Sequence, residues 1–179
     1  MYPIVRLIKE QIKFRNAPPL GLFETHVSHH VCWPWDIDPW LELNNGRTLT
    51  LFDLARMPFS TRNGMFQAMR TNGWGMAVAG NSTRYRRRVR AFHRFRSETR
   101  LLGWDRRFLY VEQSMWRHGE ALNHILIRLA ATDADGILPP AKLIAAMGHP
   151  DAESPALPAW VSAWIAADAQ RPWPPVCHT

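Results

Sequence analysis

The first pattern of apolar and polar positions along the chain has the spacing of a helix. In residues 3–15, apolar side chains share one face while basic side chains lie elsewhere. The apolar positions are Ile4, Val5, Ile8 and Ile12. The pattern predicts a short basic amphipathic helix that either docks on an anionic membrane surface or lies over the core of its own domain, and the shortness of the stripe favours the second interpretation.

Two further patterns lie on either side of a Pro-containing turn. Residues 24–35 contain β-branched and aromatic residues among polar neighbours, which predicts a strand. Apolar residues then return at helical spacing and predict a central helix capped by Asn44 or Asn45, because an asparagine side chain accepts a free amide hydrogen of the first turn. We expect this helix to weaken at Met57, because Pro58 disfavours helical geometry in the residue before it. A short continuation toward Asn63-Gly64 stays open, because glycine commonly follows a helix end.

From Gly75 onward the period of the apolar residues changes to two, as in strands. Short turns at Gly103-Trp104-Asp105 and His118-Gly119 separate the alternating stretches, and a last long strand runs through residues 121–131. Strands joined by short turns indicate an antiparallel meander. One strand, a long helix and a run of antiparallel strands form an α+β layout, in which the sheet wraps around the apolar stripe of the helix.

The two ends of the chain carry elements outside this layout. Short helices are predicted in residues 139–147 and 156–169, and the Pro-rich tail after them is expected to be irregular. We therefore expect an N-terminal helix in residues 1–20, a main domain in residues 21–150, and a C-terminal helix with a tail in residues 151–179.

Composition narrows the class of protein. A chain of 179 residues with 46% apolar residues can bury one substantial core. The net charge of +7 favours an anionic partner, which could be a nucleic acid, a membrane surface or a phosphate-bearing small molecule. Two cysteines form no zinc or disulfide pattern, no apolar run approaches the roughly 18 residues of a spanning helix, and no secretory signal is visible. We therefore expect a cytoplasmic protein, with peripheral membrane contact through residues 3–15 as an addition.

The turn before the central helix holds the candidate chemistry. Asp36 and Asp38 lie in a turn with Pro39, and Gly46 falls in the first turn of the helix. Glycine leaves backbone N–H groups open to a ligand, and a helix N-terminus carries a partial positive charge. A carboxylate beside such amides pairs a base with an oxyanion site, the combination that acyl-transfer chemistry needs.

Three histidines in the first strand suggest a metal site as a competing hypothesis. His29 and His30 are adjacent, so their side chains point to opposite faces of a strand, and only His26 shares a face with one of them. No HExxH or paired CxxC motif accompanies them. We expect no metal and no cofactor.

The segment DIDPWLELNNGRTLTLFDLAR and the order of elements resemble the hotdog-fold acyl-CoA thioesterases, the group containing 4-hydroxybenzoyl-CoA thioesterase. That group carries an Asp-x-Asp turn, then His-x-Asn-Asn and a helix with Ala-Arg. The segment STRYRRRVRAFHRFRSETRLLGWDRRFLYVEQSMWRHG is similar to the family's sheet. The resemblance spans roughly Glu24 to Gly148 and implies a hotdog fold, in which an antiparallel sheet wraps around a central helix. It also implies a homodimer or homotetramer, with an active site between the catalytic turn of one subunit and the sheet of its neighbour.

Carried over to this sequence, Asp38 matches the family's catalytic carboxylate, either as general base for water or as nucleophile through a mixed anhydride. Backbone N–H groups around Asn45, Gly46 and Arg47 are expected to polarise the thioester carbonyl. Glu42 stands where relatives have histidine. It is either a second carboxylate that makes Asp38 a stronger base by like-charge repulsion or a solvated loop acid.

A dense run of arginines follows the predicted helix. Its members are Arg84, Arg86, Arg87, Arg88 and Arg90. In a strand, the even-numbered arginines would share one face. We assign Asn44 and the first four arginines to substrate binding, because guanidinium forks suit the phosphates of coenzyme A, with a solvated sheet face as the alternative. Nucleic-acid binding is not expected, because no RNP aromatics, helix-turn-helix or zinc finger is visible.

The leading hypothesis is a hydrolase that cleaves acyl-CoA to the free acid and coenzyme A. The alternative is a non-catalytic acyl-CoA or lipid-binding module at a membrane surface, which the absence of histidine at position 42 and the basic N-terminal helix favour. Four bulky residues either line an acyl tunnel or form core: Trp40, Phe52, Phe59 and Trp74.

Overall fold

The computed structural model describes residues 2–177, which form one antiparallel sheet with helices on both faces. The helices are α1 (Ile4–Phe14), α2 (Asn45–Arg62), α3 (Met65–Asn72), α4 (Pro140–Ala146) and α5 (Ala159–Ala169). The strands are β1 (His26–Val31), β2 (Gly75–Tyr85), β3 (Arg94–Trp104), β4 (Leu109–Arg117), β5 (Glu120–Asp133) and β6 (Gly136–Leu138). A 3-10 turn spans Pro34–Asp36.

The strand order β1-β3-β4-β5-β2 confirms the predicted antiparallel meander through β3, β4 and β5. His118 and Gly119 both have positive φ angles, of 51° and 79°, as a two-residue hairpin turn requires. The predicted last long strand is β5, and after it the chain turns back so that the three-residue β6 pairs with the end of β5. Gly103 and Trp104 still belong to β3, so the first turn lies slightly later than predicted.

The apolar stripe of α2 packs against the inner face of the sheet. Leu51, Phe52 and Phe59 are at most 1% exposed there. Gln113 of β4 ties the helix to the sheet, because its amide nitrogen donates to the Phe52 carbonyl at 2.9 Å and its amide oxygen accepts from Arg56 at 2.8 Å. The sheet therefore wraps around the central helix as predicted.

The helix does not weaken at Met57, and the continuation toward Asn63-Gly64 is confirmed. Helix α2 continues through Pro58 and ends at Arg62. Proline removes one helical hydrogen bond, but Leu54, Pro58 and Phe59 are all buried on the face that packs against the core. The burial of that face outweighs the lost hydrogen bond.

Helix α1 lies on α2, but not in the orientation that its apolar stripe favours. Arg6 and Glu10 face the domain, and Arg6 donates to the Asp36 carboxylate at 2.8 Å and to the Val31 carbonyl at 2.8 Å. The helix therefore lies over the domain, with Leu7 packed against the core, as the favoured interpretation predicts, but the stripe itself is exposed. Within residues 2–177, no helix has both the length and the apolar character needed to cross a membrane.

Helix α5 forms a second, smaller core on the outer face of the sheet, opposite α2. Val161 packs there with Tyr110 and Leu126. Asp168 of α5 accepts from Arg128 of β5 at 2.7 Å, and this arginine also lies over the Trp164 ring. The predicted extra helices at both ends of the chain are therefore present.

Candidate functional site

A cleft of about 320 Å³ lies between the loop that leads into α2 and the end of β2. Six of the predicted site residues line it: Asp38, Glu42, Asn44, Asn45, Arg87 and Arg88. Tyr85 and Asn123 also line it, although the sequence patterns did not single them out. The cleft is therefore rich in charged and hydrogen-bonding groups.

The loop at the cleft is fixed from below by Asp36, which is only 1% exposed. Its carboxylate accepts from the Trp33 amide at 3.0 Å and pairs with Arg6 at 2.8 Å and with Arg47 at 3.3 Å. The Asp38 amide then donates to the Glu42 carbonyl at 2.9 Å and closes a tight loop. The first aspartate of the motif is thus structural and positions the second.

Asp38 has one oxygen fixed and one oxygen available. Its Oδ1 accepts from the Trp40 amide at 2.9 Å and from the Glu42 amide at 3.4 Å. Its Oδ2 accepts no hydrogen bond from any residue in the range 2–177. This arrangement holds the carboxylate in one orientation and leaves its second oxygen for a ligand in the cleft.

The start of α2 is more occupied than the sequence suggests. Asn44 is the cap, and its Oδ1 accepts from the Arg47 amide at 3.2 Å. The Gly46 amide donates to Oδ1 of Asn45 at 2.7 Å, in an exposed hydrogen bond. Among the described residues, the Asn45 amide has no acceptor. One of the three predicted oxyanion donors is therefore open, and a second is covered only by an exposed side chain.

The arginine run lies in a strand only at Arg84, because β2 ends at Tyr85. The amides of Arg86 and Arg87 both donate to the Leu122 carbonyl, at 2.9 and 3.1 Å, which turns the chain out of the strand. The arginines therefore separate instead of forming one face. Arg87 and Arg88 line the cleft, whereas Arg84 lies in an outer groove beside His124.

The two cleft arginines each have an acidic partner. Arg88 pairs with Glu42 at 3.4 Å, and Arg87 pairs with Glu120 at 2.6 Å. Both guanidinium groups remain mostly exposed, at 70% and 60% for the side chains. The Arg88 pairing offsets the charge of Glu42 beside Asp38, and exposed pairs of this kind are weak enough to be exchanged for a ligand phosphate.

Asn123 is an unusual group in the cleft, because it is only 4% exposed and incompletely hydrogen-bonded. Its Nδ2 contacts the Met115 sulfur at 3.8 Å, and its Oδ1 has no partner within residues 2–177. In the sequence, Asn123 alternates with Ile125 and Ile127, so it is a polar residue on the otherwise apolar face of β5, and this pattern could have identified it. Nearby, partial burial raises the pKa of the Tyr85 phenol, which keeps it a hydrogen-bond donor at neutral pH.

A second cavity of about 460 Å³ lies at the opposite end of β2 and is mostly apolar. Its lining includes Met57, Met65, Met69, Met76, Phe66 and Trp74. Of the four bulky residues considered for an acyl tunnel, Trp74 lines this cavity and Trp40 lines the polar cleft. Phe52 and Phe59 are fully buried in the core.

The three histidines of β1 do not converge. His26 and His30 are buried on one face of the strand, and His29 is exposed on the other, as adjacent strand positions require. Across the part of the chain that the structure describes, no group of three His, Cys, Asp or Glu residues could hold a metal ion.

Comparison with known proteins adds independent information on the family. A family model described as the thioesterase-like superfamily matches residues 32–165. Protein THEM6 of Xenopus laevis is 35% identical over 157 residues, which cover 86% of this chain and 74% of that protein. Matches to protein THEM6 of Drosophila melanogaster and of Danio rerio cover 47% and 48% of those proteins, so the matched part is about half of their length.

Solved structures show the same fold at low sequence identity. The probable thioesterase YbaW from Escherichia coli superposes with a TM-score of 0.64 at 17% identity, over 69% of this chain and 97% of that one. A hypothetical protein from Staphylococcus aureus in complex with CoA superposes with a TM-score of 0.61 at 11% identity, over 79% of this chain and 94% of that one. These findings confirm the predicted hotdog fold. The family match also extends past Gly148, beyond the predicted span, to include most of α5.

Proposed function

Since the chain belongs to the thioesterase-like superfamily, we propose that it hydrolyses acyl-CoA thioesters in the cleft that contains Asp38. The observation that carries the proposal is the state of the Asp38 carboxylate. Two backbone amides fix its Oδ1, while its Oδ2 has no partner in residues 2–177. A general base needs this combination of fixed orientation and free acceptor.

The proposed reaction uses Asp38 as general base. Its Oδ2 accepts a proton from water while the water oxygen bonds to the thioester carbonyl carbon. The developing oxyanion accepts from the Asn45 amide and from the Gly46 amide, once the exposed Asn45 side chain has turned away. The carbon–sulfur bond then breaks, the acid leaves, and the coenzyme A thiolate takes the proton from Asp38.

The remaining cleft residues are proposed to bind the substrate. Arg87 and Arg88 are exposed guanidinium groups at the cleft rim, where they can exchange their carboxylate partners for the phosphates of coenzyme A. Asn123 lies deeper, where its unpartnered Oδ1 can accept from an amide of the pantetheine arm. The CoA found with the Staphylococcus aureus protein supports this class of ligand. Arg84 and Arg86 are left out, because neither lines the cleft.

The acyl group is proposed to enter the methionine-lined cavity of a second subunit. Within one chain, the cleft lies at the Tyr85 end of β2 and the cavity at the Met76 end. Strand residues rise about 3.3 Å each, so roughly 30 Å separates the two ends. The free edge of β2 can pair with the same edge of a second copy in the antiparallel sense, which brings the cleft of one subunit to the cavity of the other.

The test is turnover of a panel of acyl-CoA substrates with detection of the released thiol. Asp38→Asn keeps the shape of the side chain and removes the base, so kcat should fall by at least about 100-fold while KM changes little. The matched control is Asp151→Asn, at an exposed position outside the cleft, and this variant should keep the wild-type kcat and KM. Full turnover in Asp38→Asn would exclude the proposed base.

A non-catalytic acyl-CoA-binding module is the second candidate. The observation that favours it is Glu42, which stands at the family's histidine position and is engaged by Arg88. Tight binding of acyl-CoA by the wild-type chain without release of thiol for any substrate in the panel would establish this candidate.

A further inference from the structure

Helix α1 presents four of its aliphatic residues to solvent. Val5 is 82% exposed, Ile4 59%, Ile12 57% and Ile8 52%. These four residues lie on one side of the helix, within roughly 100° of its circumference. We propose that this surface, the α1 stripe, docks on the surface of an anionic lipid bilayer.

The opposite side of α1 shows that the exposure is not a by-product of ordinary packing. Glu10 faces the domain at 2% exposure, and its Oε2 has no hydrogen-bond partner among the described residues. Arg6 also faces inward and binds Asp36. A helix that covers its own core normally turns its apolar side inward, because buried apolar area stabilises the fold. Here Leu7 and Phe14 are the apolar residues turned toward the domain. The α1 stripe lies outside that contact, so it is buried only when another apolar phase covers it.

The charges around the α1 stripe identify that phase as anionic lipid. Lys9, Lys13 and Arg15 are exposed in and just after the helix. The one acidic residue in α1 is Glu10, and it is buried. The exposed surface of this helix is thus aliphatic and cationic, which is the composition of helices that lie at the boundary between acyl chains and negatively charged headgroups. Lysine is depleted at protein–protein interfaces, so the flanking lysines favour a lipid surface over a protein partner.

An exposed aromatic cluster lies at the loop that Arg6 connects to α1, and it adds a second surface suited to the same occupant. Trp33 and Trp35 stack with ring centroids 5.4 Å apart, and Phe92 contacts Trp33 edge-on. Trp35 and Phe92 are each 64% exposed. Arg6 ties the loop that carries the tryptophans to α1 through Asp36, whose carboxylate also accepts from the Trp33 amide. Tryptophan rings favour the interface between headgroups and acyl chains.

The experiment measures binding of the full chain to vesicles of phosphatidylcholine alone and of phosphatidylcholine with phosphatidylglycerol. We expect binding to the anionic vesicles and a loss of binding with added salt. Val5→Glu should weaken the apparent affinity by at least about tenfold, because it places a charge in the α1 stripe. The matched control is Val176→Glu in the tail, where the valine is also exposed, at 69%, and it should bind as the wild type does.

Lys13→Glu with Arg15→Glu, at two exposed positions, tests the electrostatic part and should remove the preference for anionic vesicles. Circular dichroism of each variant controls for folding, which these exposed positions should not affect. Equal vesicle binding by wild type and Val5→Glu would overturn the proposal. A change in molecular mass of Val5→Glu without a change in vesicle binding would assign the α1 stripe to contact with a second copy and would also overturn it. Thioester hydrolysis enters neither readout, so the proposal stands or falls independently of the proposed activity.

Discussion

Asn123 lies where the cleft meets the core, and its side-chain oxygen has no partner among the described residues, so its proposed binding role can be tested against a structural role. A buried acceptor without a partner costs stability, so Asn123→Leu should leave the free energy of unfolding unchanged or raise it by up to about 1 kcal/mol. If Asn123 accepts from the substrate, the same change should lower kcat/KM by about tenfold, mainly through KM. Urea unfolding and acyl-CoA kinetics measure the two effects.

Gln113 provides the matched control, because it is also a buried amide on the inner face of the sheet. Both polar atoms of its side chain form hydrogen bonds: the oxygen accepts from Arg56, and the nitrogen donates to Thr99 and to the Phe52 carbonyl. Gln113→Leu should therefore lose on the order of 2 kcal/mol of stability, since it leaves those partners unsatisfied. Loss of stability in Asn123→Leu of the same size would show that Asn123 is structural.

These residues also show what the sequence could predict of the site. Asp38 and the Asn44 cap lie in a contiguous motif, so their spacing places them beside the start of α2. Asn123 lies 85 positions after Asp38 by sequence numbering, and only the sheet brings it to the cleft. The occupied amide of Gly46 could not be foreseen either, because its acceptor is a side-chain rotamer of Asn45.

At the scale of an element, β1 is a strand whose buried face carries two uncharged histidines. Burial lowers the pKa of His26 to about 4, with Arg62 adding to the effect, and lowers the pKa of His30 to about 3. Both pKa values lie below the ordinary 6.5, so the unfolded chain binds more protons between pH 6.5 and 4. The free energy of unfolding should therefore fall as the pH is lowered through this range, by up to about 1.4 kcal/mol per pH unit for each histidine.

Denaturant unfolding at several pH values checks this dependence. His30→Gln should reduce the slope, because it removes one of the two groups that must be protonated on unfolding. His29→Gln should keep the slope, because His29 is exposed on the other face of the same strand. A slope that His30→Gln leaves unaltered would mean that other groups control acid stability.

Elements were predictable from sequence where local chemistry and burial agree, and not where they conflict. Helix α2 begins where an asparagine caps it, but it passes Pro58 because tertiary burial outweighs local preference. The arginine run has no apolar alternation that would mark where β2 ends, and the bond to the Leu122 carbonyl that ends it is non-local. For α1, the period identifies the helix correctly, but period alone cannot say which side faces the domain.

At the scale of the whole molecule, the sheet has two edges that differ in what they could bind. At one edge, β1 has six residues, and the side chains of His26, Ser28 and His30 are buried. At the other edge, β2 has eleven residues, none of them fully buried, and it links the cleft to the methionine-lined cavity. A long exposed edge is a template for pairing with another strand. The proposed homodimer therefore forms through β2.

Val78 and Val27 allow a matched test of this assembly, because they are exposed valines on the two opposite edges of the sheet. Val78→Lys should shift the chain from a dimer toward its monomer mass of 20.7 kDa, since a lysine on an edge strand opposes edge-to-edge pairing. Val27→Lys should leave the mass of the assembly unchanged. Sedimentation equilibrium measures the mass of both variants. A monomeric Val78→Lys variant with full turnover would show that one chain completes the site alone, and an unchanged dimer would place the interface elsewhere than β2.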